Sequence, residues 1–99
     1  MNKCRLLKKK KLIKLRKQLD ILDDAFIKLI KKRTILVDQV LKLKDFKNQI
    51  VDKKRIKIIL NKIKNKSIRQ HIDPKITSKI WKNMIWSYID YERRNFKKK

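Results

Sequence analysis

Glycine is absent from this chain, and proline, cysteine and histidine occur once each, as Pro74, Cys4 and His71. Without glycine there is no material for tight turns, phosphate-cradling loops or dinucleotide fingerprints, which excludes P-loop and Rossmann architectures. One cysteine closes no internal disulfide, and with a single histidine it completes no zinc site. A reducing cytoplasm is the compartment that fits. Long apolar runs are missing too. None approaches the roughly 20 residues that span a bilayer, and the basic start lacks the apolar core of a signal peptide. A soluble, unprocessed protein is expected, without a membrane partner, and with no appended regulatory domain to provide feedback control.

Acidic residues are scarce: 9 Asp and Glu stand against 32 Lys and Arg, a formal net charge of +23. Clustered cations release counterions from phosphates, so such a balance ordinarily points to nucleic acid or an anionic surface. Here lysine is spread along almost the whole chain, and its abundance together with Ile and Asn reads as drift toward AT-rich codons. Nucleic acid is therefore not the expected partner. A single domain of 99 residues buries only a modest core by itself, and oligomerisation is expected.

What is present is helical periodicity. Apolar residues recur at three-and-four spacing through Leu12, Leu15, Leu19, Leu22, Phe26, Leu29, Leu36, Val40 and Leu43. No breaker intervenes over residues 6–46, which predicts one very long first helix. At that length it would run about 60 Å, too far to bury its stripe against the rest of its own chain. A partner rod is the natural cover. Residues 1–11 form a basic leader with too little pattern to tell an extension of the helix from a frayed end, and residues 12–99 form the helical domain proper. Cys4 reads as a free thiol without a role.

Residues 45–51 lose the period and predict a loop, after which Asp52 caps a short second helix through Ile56, Ile59, Leu60 and Ile63. Residues 65–72 fade into a polar connection in which His71 reads as an exposed spacer. Asp73 and Pro74 then supply an N-cap and a first-turn proline. The third, medium-length helix carries a stripe of Ile76, Ile80 and Met84, with Trp81, Ile85, Tyr88, Glu92 and Phe96 adjoining, and ends in the solvated residues 97–99. The fold class is all-α, with three helices per chain.

Arg33 and Lys44 interrupt the apolar stripe of the first helix, and Arg16 and Arg55 flank them. Cations on a core face are costly unless an anion sits between them, so the spacing points to a small polyanion held inside a helical bundle. Eleven residues are close to three turns, which places Arg33 and Lys44 on one face about 16 Å apart. Arg16 lies about 25 Å and about 100° from Arg33 on a straight helix, but an antiparallel partner rod would bring it back. Most cations of such a chain form a solvated face, and salt bridges from Arg33 to Asp23 or Asp24 are an alternative. Glu92 has the same oddity among Tyr88, Ile85 and Phe96.

In order and spacing these residues resemble a known family. Arg16 followed by Leu19, Asp20, Leu22 and Asp23, then Arg33, Lys44, the run Val51-Asp52-x-x-Arg55, Asp73-Pro74 and the helix over residues 85–92 look like the all-helical, AroQ-type chorismate mutases. The resemblance implies an intertwined homodimer of three-helix chains. It implies an isomerase that rearranges chorismate to prephenate on the way to phenylalanine and tyrosine, with no metal or other cofactor. Such catalysis rests on holding the diaxial conformer and on stabilising charge as the ether bond breaks.

Carried over position by position, the resemblance makes Arg16 of the partner subunit and Arg33 a clamp on the substrate carboxylates. Lys44 contacts a carboxylate and donates to the ether oxygen, Arg55 completes the cationic wall, and Asp52 helps fix the ring hydroxyl. Glu92 matches a position where bacterial members carry a glutamine that donates to the same oxygen, whereas Glu92 donates only when protonated. Ile56 stands where many members have a glutamate, and Tyr88 where a serine often assists a carboxylate. Tyr88-Ile89, Ile56 and the short Lys44-to-Arg55 spacing also resemble isochorismate pyruvate lyase, a sister activity on this scaffold. A basic helical nucleic-acid-binding protein is the alternative of another class. Against it, Trp81 and Trp86 sit inside a helix whose stripe they help form.

Overall fold

The computed structural model describes residues 2–97. They form helix α1 (Lys3–Lys42), a 3₁₀ turn (Lys47–Gln49), helix α2 (Lys53–Arg69) and helix α3 (Pro74–Asn95). Among the described residues there is no strand, as the all-α expectation requires. The expected solvated tail at 97–99 lies outside the described residues beyond Lys97.

The leader joins the first helix. Asn2 Oδ1 accepts the backbone N–H of Cys4 at 2.7 Å, so an asparagine at the entry caps α1. The other end stops earlier than the periodicity predicts. Leu43 N–H donates to Val40 O and Lys44 N–H to Leu41 O, tighter i→i−3 bonds that close the last turn. Gln49 Oε1 then accepts the N–H groups of Asp45 at 2.7 Å and Phe46 at 2.8 Å, taking two donors that a continuing helix would have used. Lys44, expected on the helical face with Arg33, therefore lies past the last helical residue and is held by a connection with its own hydrogen bonds.

The chain divides into two compact units, one reaching to Leu36 and one beginning at Val37. The first is helix alone, and every described residue up to Lys32 is exposed. The apolar stripe, expected to need a partner rod for cover, is bare in the single chain: Leu15, Leu19, Leu22, Phe26 and Leu29 are all exposed, while Arg33 and Thr34 are half-buried. Leu36, Val40 and Leu43 are exposed as well.

The second unit holds the core. Leu41 from the end of α1, Ile50 from the connection, and Ile85 and Ile89 from α3 are buried together, with Val51, Ile56, Ile59, Leu60 and Phe96 packed around them. Its helices start where expected. Asp52 Oδ1 accepts the Arg55 N–H at 3.0 Å, and Asp73 Oδ1 accepts the Lys75 N–H at 2.9 Å ahead of Pro74.

Two details of this unit depart from the pattern. Helix α2 continues through residues read as a polar connection because Ser67, buried at 3% exposure, occupies the inward position after Ile63. Its hydroxyl lies 2.6 Å from Ile63 O and 2.7 Å from Thr77 Oγ1 of α3. With its one proton given to Ile63 O, it receives that of Thr77. In α3 the inward line is Ile85, Ile89 and Glu92, while Ile76, Ile80 and Trp86 are exposed and Trp81 and Met84 are half-buried. The predicted stripe was thus rotated, and Trp86 is not a core residue.

Helix α2 ends in a Schellman arrangement, with Ile72 N–H donating to Ser67 O at 2.9 Å and His71 N–H to Ile68 O at 3.2 Å. That motif needs a left-handed residue, usually glycine. The chain has none, and His71 takes the role at φ 58°.

Candidate active site

Five of the seven candidate residues lie in the second unit. Lys44 Nζ donates to Glu92 Oε1 at 2.9 Å, joining the connection after α1 to the last turns of α3. Glu92 is buried, with 7% of its surface exposed, and Lys44 is half-buried. A carboxylate so covered needs a charged partner, and the ammonium supplies one while keeping two further N–H donors for other acceptors. Two residues far apart in sequence, each singled out as a polar group on an apolar stripe, are thereby brought into direct contact.

Lys44 also lines an open depression of about 600 Å³ together with Gln49, Val51, Asp52, Lys53 and Lys54. Three ammonium groups around one carboxylate make this wall cationic, which suits an anionic ligand. Asp52 is exposed and engaged as the cap of α2. Arg55, three positions into the cap motif, is exposed. Ile56 is half-buried against the core. Tyr88 is half-buried, and its ring meets that of Tyr91 edge-on, with centroids 6.4 Å apart and planes at 86°. In the first unit, Arg16 is exposed and Arg33 half-buried on α1.

Sequence reasoning missed a second cross-link. Tyr91 Oη donates to Asp38 Oδ1 at 2.7 Å, tying α3 to the end of α1 one residue from Glu92. The hydrogen bond to Asp38 raises the Tyr91 phenol above its ordinary value of 10.0, and burial and the negative charge of Asp38 push the same way. The signal was there: Asp38 is three residues before Leu41, and Tyr91 three after Tyr88, so each lies on the inward side of its helix. Gln49 was also passed over, although it orders the connection that presents Lys44.

Among the described residues, no three His, Cys, Asp or Glu side chains gather as a metal-binding group, and no helix is long and apolar enough to cross a membrane. Comparison with known proteins gives no match to a curated protein and none to a solved structure. A family comparison does give one. The description Chorismate mutase type II matches residues 15–93, about four-fifths of the chain, a span that takes in every candidate residue from Arg16 to Glu92. The chain belongs to the type II chorismate mutases, a family of isomerases.

Proposed function

We propose that this protein rearranges chorismate to prephenate in the cytoplasm, as a homodimer in which Arg16 of each subunit completes the site of the other. The observation that carries the residue roles is the 2.9 Å contact between Lys44 and buried Glu92. The reaction breaks an ether C–O bond and forms a C–C bond in one cyclic shift of electrons, so no nucleophile is required. What accelerates it is a cage that holds the reactive conformer and donates to the ether oxygen as charge gathers there.

In this proposal Lys44 is held by Glu92 and turns its remaining N–H groups toward a substrate carboxylate and the ether oxygen. Glu92 accepts from Lys44 through Oε1 and, when its other oxygen carries a proton, donates to the same ether oxygen. Arg33, Arg55 and the partner subunit's Arg16 bind the two carboxylates, Asp52 takes the ring hydroxyl, and Tyr88 flanks the site. The dimer is supported by the bare stripe of α1, since apolar surface of that extent seeks cover and a second copy carries the same stripe.

The test is to supply the purified protein with chorismate and with isochorismate and to follow prephenate and salicylate separately. Prephenate from chorismate is the expected product. Salicylate and pyruvate from isochorismate, without prephenate, would replace the mutase by the lyase. Strongly salt-dependent RNA binding that survives Arg33→Ala, with neither product formed, would replace both by a charge-driven nucleic-acid binder.

A further inference from the structure

We infer that Asp38 and Tyr91 form a positioning pair that sets where Glu92 stands against Lys44. The two cross-links are neighbours: residues 91 and 92 are consecutive on α3, and Asp38 and Lys44 lie on either side of buried Leu41. Asp38, Leu41, Lys44 and Tyr91 also line one depression.

Consecutive helical residues point about 100° apart, so one contact alone leaves the helix free to roll about it, while two in adjacent directions fix both roll and register. Buried Ile89 supplies apolar adhesion without direction. The phenol supplies direction, being hydrogen-bonded at one end and wedged edge-on against Tyr88 along its ring. A donor on Glu92 must meet an ether oxygen to within about 0.5 Å, and a helix free to roll by about 10° carries a side-chain tip by about 1 Å. Tyr91 therefore acts through Glu92 and touches no substrate itself.

The charged groups around Tyr91 fit a bond that persists at working pH. Asp38 raises the phenol, Arg94 opposes it and Tyr88 adds a smaller push upward. Lys42, Lys44 and Lys97 line the same depression as Asp38. Because the folded-state value lies above the unfolded one, the stabilisation is complete below pH 10 and is lost as pH rises through the folded value.

The inference rests on the mutase reading for its kinetic arm. In the full-length protein, Tyr91→Phe is expected to lower kcat on the order of ten- to a hundredfold with KM nearly unchanged. Asp38→Asn, whose amide oxygen still accepts, should keep most of the rate. In a Glu92→Ala background, Tyr91→Phe should cost nothing further. If Tyr91→Phe fails to fold, Asp38→Ala removes the acceptor while keeping the ring and should show the same loss and the same coupling. A lower Tm with unchanged kcat, or a loss that adds fully to that of Glu92→Ala, overturns positioning. Ultraviolet titration reads the pair without any turnover. A phenol titrating above 10 in the parent and returning toward it in Asp38→Asn supports the pair, and ordinary titration in the parent overturns it. A parent protein that leaves chorismate unchanged, with the phenol still raised, refutes the mutase reading and leaves the pair standing.

Discussion

Residues 2–32 and residues 37–97 are both rich in lysine and in branched aliphatic side chains, mostly leucine in the first and isoleucine in the second, and come to opposite ends. In the first stretch no described side chain is buried or half-buried; in the second Leu41, Ile50, Ile85 and Ile89 close a core and Glu92 is covered beside an ammonium group. Hydrogen bonds within a helix are satisfied in both. The difference is whether an apolar stripe has something to lie against, and most of a helix's stability in a protein comes from that. The second stretch is locally complete, whereas the first asks for a partner.

The largest expected effect breaks the second region at its charge pair. Lys44→Ala should lower kcat/KM for chorismate on the order of a hundred- to a thousandfold, the range for losing a donor to developing charge. It should also destabilise the fold by about 1–3 kcal/mol, because Glu92 is left covered without its ammonium partner. Lys44→Arg, which keeps charge but not shape, should recover stability more than rate. Urea unfolding beside steady-state kinetics would separate the two.

The next test joins the regions across a subunit boundary. If Arg16 serves the partner's site, Arg16→Ala and Lys44→Ala proteins are each nearly inactive. Unfolding and refolding them together in equal amounts should restore about a quarter of the parent activity, since half the dimers are mixed and each has one intact site. No recovery would place Arg16 and Lys44 of one chain in the same site. Phe26→Asp, on the bare stripe, should lower both the mass seen by light scattering and the helical circular dichroism, with the second region less affected.

Legibility from sequence followed the same division. The start of α2 at Asp52 and of α3 at Asp73 and Pro74 was readable, because a cap is a local device made of neighbours. The great length of α1 was readable from its period. Its end was not, since it depends on Gln49 reaching back to Asp45 and Phe46. The end of α2 was hidden by Ser67, a polar residue that reads as a breaker until Thr77 of another helix answers it. Of the candidate site, Lys44 and Glu92 stood out as polar groups on apolar stripes, but Asp38 and Tyr91 were lost among many polar residues whose partners are set only by packing.

A smaller effect tests that hidden serine. Ser67→Ala should cost about 1–2 kcal/mol, as Thr77 is left facing a buried methyl group. Adding Thr77→Val should recover part of the loss, since removing both partners leaves no unmet hydroxyl. Chorismate turnover should hardly change, because the pair lies at the opposite end of α3 from Glu92.

The smallest effect returns to the missing glycine. At φ 58° the Cβ of His71 crowds its own backbone, a strain of about 1 kcal/mol that glycine does not have. Substituting His71→Gly also loosens the unfolded chain and gives part of that gain back. The exposed imidazole donates no bond on which the Schellman turn depends, since that turn uses the backbone N–H groups of His71 and Ile72. His71→Gly is therefore expected to stabilise the protein by about 0.5 kcal/mol, seen as a slightly higher urea midpoint with an unchanged slope. His71→Val, branched at the crowded carbon, should shift the midpoint the other way and by more. Equal midpoints for all three would mean that the turn relaxes out of its left-handed form, and that Asp73 alone ends the connection.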